Sequence, residues 1–213
     1  MAALAIPTQF KAKKRVRRNH ALDFIDGIES SWKGHERFAM WLVQRLKPKT
    51  VVDLGFDRGL STVAFAYKGR GHVFGVDWFE EGNYADKCIA WDVAFGNVSN
   101  ALRFNYVKNV HLIVGPFRDI ARKWKRKVDI LHIDWAHSYE SVKQHYDNWS
   151  PYLNPGALII IHDVVAFPDG AGRFFQGLPF PKVLIPHSCG LGIVSTDSLL
   201  VEEIRQKFCL GTV

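Results

Sequence analysis

Residues Val51-Val52-Asp53-Leu54-Gly55-Phe56-Asp57-Arg58-Gly59-Leu60-Ser61-Thr62 constrain this chain more than any other stretch. Val51 and Val52 are branched and strand-forming, and Lys47-Pro48-Lys49 before them breaks any helix. After Gly59, the residues Leu60, Val63, Ala64 and Tyr67 recur at helical spacing until Gly69 supplies a stop. Strand, glycine-bearing turn and helix form the unit with which a doubly wound α/β sheet builds a ligand crevice at the carboxyl end of its first strand. A dinucleotide turn needs G-x-G-x-x-G, so that a pyrophosphate can approach bare backbone. Here the second glycine position holds Asp57, whose carboxylate repels a diphosphate. The spacing Asp53-x-Gly55-x-x-x-Gly59 suits a ligand with a cationic or zwitterionic end instead. A turn with no ligand is the alternative that this motif alone leaves open.

Further strands are expected at His72–Asp77, Val110–Val114, Val128–Asp134 and Ala157–Asp163, and two short ones at Lys182–Pro186 and Leu191–Ser195. Between them lie helical stretches: one after Ser30–Glu36 with Phe38, Trp41, Leu42 and Leu46 on one face, one near 84–104 with a break at Gly96, one opening at Gly115–Asp119, and one running to Trp149. Pro151–Gly156 reads as a turn. The continuous apolar run before His162 suits a central strand covered on both faces. This is an α/β, Rossmann-like pattern. A chain of 213 residues is the size of one such domain.

The net charge of +7 is unevenly placed. Residues 1–20 carry Lys11, Lys13, Lys14, Arg15, Arg17 and Arg18 and no acid, whereas the remainder is almost neutral. We divide the chain into a basic arm, 1–20, and a single domain, 21–213. The run 11–18 is a candidate contact for nucleic acid or another acidic surface, against a solvated or packed leader and a mitochondrial-type presequence. No apolar run of about 18 residues is present to span a membrane. Cys88, Cys189 and Cys209 fit no zinc or disulfide spacing and read as reduced packing residues of a cytoplasmic protein.

Asp53, Asp77, Asp134 and Asp163 all fall at or near predicted strand ends, which a parallel sheet brings to one edge. Asp77 lies near the offset at which an acid accepts from both ribose hydroxyls, and Trp78 beside it could lie along an adenine. Asp134 and Asp163 could share one hard cation such as Mg²⁺. His137 is placed to take a proton from a hydroxyl; the alternative is a histidine that only caps or packs.

The segments Asp134-Trp135-Ala136-His137-Ser138-Tyr139 and Leu153-Asn154-Pro155-Gly156, with His162-Asp163 after it, resemble methyltransferase family 24. That family is similar to the catechol and macrocin O-methyltransferases and to cephalosporin-hydroxylase-like enzymes. The resemblance spans about residues 30 to 196. It implies a class I fold with a seven-stranded sheet, its last strand antiparallel, and helices on both faces. It implies a site for S-adenosylmethionine (SAM), with the methionine moiety near Asp53, Gly55, Gly59, Ser61 and Thr62. Asp77 would take the ribose, and Gly115, Phe117 and Arg118 the adenine edge. Asp134 and Asp163 would ligate metal, and His137 stands where the catechol enzymes keep a lysine base. The catechol pattern has Asn or Asp directly after the second metal acid; this chain has Val164. The activity implied is methyl transfer to a hydroxyl of a small molecule. A nucleic-acid or protein methyltransferase anchored by the arm, a non-catalytic SAM-binding protein and an NAD-linked oxidoreductase are the alternatives.

Overall fold

The computed structural model describes residues 19–78 and 87–209, with 87–90 as backbone alone. The basic run 11–18 lies outside the described residues. Seven strands form one sheet: β1 (Thr50–Leu54), β2 (His72–Asp77), β3 (Val110–Val114), β4 (Val128–Ile133), β5 (Leu153–His162), β6 (Lys182–Ile185) and β7 (Leu191–Val194). Their order is β3-β2-β1-β4-β5-β7-β6. β1 to β5 run parallel, and β7 is antiparallel to both β5 and β6.

Alternation along the strands feeds two cores. Val51, Ile130, Leu158 and Ile160 face one side, where α1 (His20–Asp26), α2 (Glu36–Leu46), α3 (Leu60–Ala66), α4 (Lys87–Arg103) and α8 (Ser198–Phe208) cover them. Val52, Leu54, Leu131, Ile133, Ile159 and Ile161 face the other, under α5 (Phe117–Lys123), α6 (Tyr139–Trp149) and α7 (Arg173–Gly177). At about 25 cal/mol per Å² of buried apolar surface, these two layers supply the main favourable term of folding.

The structure departs from the expected elements in several places. His20 opens α1 and Asn19 caps it, its side chain accepting from the Leu22 N–H. α4 runs unbroken through Gly96. β5 begins at Leu153, inside the expected turn: Val128 pairs with Leu153 and Ile130 with Leu158, so 154–157 form a bulge that the strand absorbs. Of the cysteines, Cys189 is exposed and Cys209 half-buried; both are free. Cys189 is therefore not a packing residue. No described helix is long and apolar enough to cross a membrane.

Close packing at the carboxyl edge fixes one residue type. Gly55 has φ +85, and a Cβ there would lie 2.0 Å from the Asp134 carbonyl oxygen, where β1 passes the end of β4. Gly55→Ala combines left-handed strain with a backbone collision. We expect a stability loss of at least about 2 kcal/mol, read as a lower urea midpoint. An unchanged midpoint would contradict this close approach.

Candidate functional site

The first strand holds its turn through a buried chain of hydrogen bonds. Trp32 Nε1 donates to His132 Nε2 at 3.1 Å. An indole N–H can only donate, so Nε2 accepts and the ring proton sits on Nδ1. Nδ1 in turn donates to Asp53 Oδ1 at 2.6 Å. Asp53 Oδ2 accepts from Ser61 Oγ at 2.7 Å and Thr62 Oγ1 at 2.5 Å. Asp53 is 0% exposed and lies on the α3 side of the sheet. Asp53, Ser61 and Thr62, expected near the methionine moiety, turn their side chains onto one another, and this sets where α3 starts. Ser61 and Thr62 do not cap that helix; the N-cap is Gly59 at φ +87.

Asp77 behaves differently. Its Oδ2 accepts from the Asp57 N–H at 3.0 Å, across the turn. Oδ1 is buried and has no hydrogen-bond partner of good geometry among the described residues. A buried carboxylate oxygen left unpaired costs about 1–3 kcal/mol, and a hydroxyl donor entering the crevice would remove that cost. Burial, the largest influence, pushes the Asp77 carboxyl up to about 7, with Asp57 and Asp53 adding like charge. Trp78 is half-buried and packs on the second core. Phe117, expected at an adenine edge, is buried against Trp135 and His145, while the Arg118 side chain is more than half exposed beside Asp119. The Gly115 N–H donates to the Asp77 carbonyl at 2.9 Å. A Cβ added at this glycine, at φ +149, would meet nothing nearer than Ile120 Cδ1 at 3.8 Å, so that side of the backbone is open among the described residues.

The ends of β4 and β5 bring the remaining residues together. His162 Nδ1 hydrogen-bonds to Asp134 Oδ1 at 3.1 Å and lies 3.2 Å from Asp163 Oδ2. His162 Nε2 meets the Ser188 carbonyl at 3.0 Å. Burial opposes charge on His162, but Asp134 and Asp163 outweigh it and lift the ring to about 10. Asp163 is itself held below the usual carboxylate range, because its contacts with His162 and His137 exceed the opposing effect of burial. On the far side, His137 Nδ1 lies 3.2 Å from the same Asp163 Oδ2. His35 shares the Ser188 carbonyl at 3.2 Å, and burial, then the His162 charge, pushes it down to about 3.

His137 opens onto a cavity of about 540 Å³ lined by His137 to Glu140, Ala166 to Gly170 and Arg173. Phe167, 45% exposed, stacks on the His137 ring at 4.4 Å. Arg173 lies over the Tyr139 ring at 4.1 Å. A π-helical turn, Pro168–Gly172, clasps His137 from behind: the Ala171 N–H donates to the His137 carbonyl at 3.0 Å. A Cβ at Gly170 would lie 1.9 Å from that same oxygen, so only glycine allows the clasp.

Sequence reasoning did not find His132, His162 or the clasp. Two signals were present. Each histidine interrupts an apolar strand, Ile130-Leu131-His132-Ile133 and Ile159-Ile160-Ile161-His162. A polar side chain there requires a buried partner. Which partner depends on strand register, which pairs Asp53 with His132.

The Asp77 environment has a pH signature. The folded carboxyl keeps its proton up to about pH 7, against an ordinary value of 3.8. The ligand-free folded state therefore binds the extra proton between those limits. This contribution to stability falls as pH rises through that window and levels off above it. Asp77→Asn should flatten that slope and leave the ligand-free protein more stable than the parent at pH 8. Thermal or urea melts from pH 4 to 8 read the difference; parallel profiles would refute the assignment.

Known proteins with this architecture carry the same chemistry in their descriptions. Several solved structures share the fold: a methyltransferase of Geobacter sulfurreducens matches at TM-score 0.62 and 16% identity, over 84% of this chain and 89% of that one. An O-methyltransferase of Bacillus cereus, solved in complex with SAH, matches at 0.61 and 17%, over 85% and 93%. TomG of Streptomyces achromogenes, an O-methyltransferase involved in tomaymycin synthesis and solved with SAM, matches at 0.61 and 16%, over 86% and 92%. An uncharacterized Sinorhizobium fredii protein, y4gI, is 28% identical over 192 residues, and the chain spans a fifth of its length. The model of the family described as Methyltransferase domain (Methyltransf_24) matches residues 52–164, more than half of the chain. These residues run from the Asp53 strand to the valine after Asp163, and the chain belongs to that methyltransferase family.

Proposed function

We propose that this protein transfers a methyl group from SAM to a hydroxyl of a small-molecule acceptor, with His137 as the general base. The observation that carries the proposal is the Asp163–His137 pair at the mouth of the cavity. A carboxylate facing Nδ1 favours the tautomer with its proton there, which leaves the Nε2 lone pair for an acceptor hydroxyl. The clasp on the His137 carbonyl and the Phe167 ring against its face restrict how the imidazole turns.

The unpaired Asp77 oxygen fits the ribose of the cofactor, and the open backbone at Gly115 leaves room along its adenine. Bound there, the cofactor supplies an electrophilic methyl group on a sulfonium. The chain's share is to hold the acceptor oxygen in near-attack geometry, to exclude water and to remove the hydroxyl proton at His137 Nε2. The neighbours solved with SAM or SAH support the cofactor, and their O-methyltransferase descriptions support the hydroxyl acceptor.

Calorimetric titration with SAM, S-adenosylhomocysteine and NAD⁺ tests the cofactor. Micromolar binding of the first two and none of NAD⁺ is expected, with affinity reduced at least tenfold by Asp77→Ala. Binding of NAD⁺ alone would overturn the reading. In an acceptor screen, His137→Ala should leave SAM affinity unchanged and lower kcat by about 10²–10⁴. An unaltered kcat would remove the base assignment.

A further inference from the structure

The acids at the ends of β4 and β5 stand where the family resemblance implies a divalent cation, and the side chains there do not fit one. Mg²⁺ demands octahedral oxygen ligands and keeps several waters. Three observations oppose that. The residue after Asp163 is Val164, whose buried alkyl group offers no donor. The oxygens that face each other, Asp134 Oδ1 and Asp163 Oδ2, both lie against His162 Nδ1, at 3.1 and 3.2 Å. The His162 side chain is fully buried, with Asp163 and Asp134 only slightly exposed, so a hydrated ion has little room.

The donor inventory says what Nδ1 holds. Ser188 contributes a carbonyl, which can only accept, so His162 Nε2 carries a proton. Carboxylates also only accept, so a bare Nδ1 would set a lone pair against two anionic oxygens. An N–H there gives both a partner. Three consecutive left-handed residues, Ser188 at φ +48, Cys189 at φ +67 and Gly190 at φ +88, turn the carbonyl onto His162 and His35 together.

We infer that the Asp134–Asp163 pair takes no divalent cation, because the Nδ1–H of His162 already bridges the two carboxylates. His162 is thereby a positioning residue: it fixes Asp163 Oδ2, the atom that faces His137 Nδ1. The inference concerns the acid pair itself and stands whether or not the acceptor of the proposed reaction is a hydroxyl.

The competing arrangement has a neutral His162 that keeps Nε2–H on Ser188 and offers Nδ1 to a metal. Asp134, His162 and Asp163 do present possible ligand atoms within 4.8 Å of one another. Titration of the chelator-stripped full chain with Mg²⁺ and with Mn²⁺, by calorimetry and Mn²⁺ resonance, separates the two. No binding to the parent is expected at submillimolar concentration. His162→Asp, which places three carboxylates together, should gain binding of both ions by at least tenfold. Nitrogen-15 spectra of the unsubstituted protein at pH 7 provide a measurement that needs no variant, and both His162 ring nitrogens should carry protons. Stoichiometric Mn²⁺ binding by the parent that His162→Ala abolishes, or a deprotonated Nδ1 in the spectra, would overturn the inference.

Discussion

A fully buried carboxylate needs donors on each of its oxygens, and at Asp53 three of them converge. Isolated, such a charge would cost several kcal/mol. The Trp32–His132 pair meets one oxygen and the first turn of α3 meets the other. This single interaction couples the segment before α2, the middle of β4 and the start of α3 to the first strand. The glycine turn lies between the strand and helix so fixed. Its backbone is then free to place Asp57 across from Asp77 and Gly55 against Asp134. The charge that heads the motif supports the crevice from beneath rather than lining it.

The strands were legible because their signal is local. Branched and apolar runs bounded by Gly, Pro and Asp give 72–77 and 110–114 directly, and give 182–186 and 191–195 one residue longer than the strands that form. β5 was shortened because Asn154-Pro155-Gly156 has turn chemistry, and nothing local says that the chain rejoins the ladder on both sides of a bulge. α8 was missed although Asp197 caps it, its carboxylate accepting from the Leu200 N–H at 3.0 Å. No competing pattern drew attention to that stretch.

The site was legible as a set of acids and one histidine, His137. The acids' positions at strand ends follow from spacing, but their roles follow from which face each side chain takes and what stands opposite. Asp53 pairs in register with His132, a residue 79 positions away, and so turns inward. Asp77 accepts from the Asp57 N–H on one oxygen and leaves the other unpaired among the described residues. Asp163 meets one histidine from its own strand and another from the loop after β4. Residue type alone does not distinguish these fates, because each depends on long-range register. Trp32 and His35, which lie before α2, likewise face the buried histidines.

Charge balance is what ties the turn to its ligand class. His132 is neutral, since Trp32 fixes its tautomer, so Asp53 has no counterion in its own hydrogen-bond chain. Asp57 is raised by burial against the lowering effect of Arg58, with Asp134 adding a little, and Asp77 is raised by burial, with Asp57 and Asp53 adding like charge. His162 offsets part of the charge of Asp134 and Asp163, leaving that pair with an excess of one. The described edge of the sheet is therefore rich in carboxyl groups, two of which burial pushes toward the protonated form. A diphosphate would add charge of the same sign in a poorly solvated crevice, which is the costly direction. A ligand with an ammonium and a sulfonium would offset the like charge that adds to the effect of burial on Asp77 and bring hydroxyl donors to its Oδ1. The same acids that disfavour a dinucleotide thus suit the cofactor proposed for this site, through desolvation and sign rather than through shape.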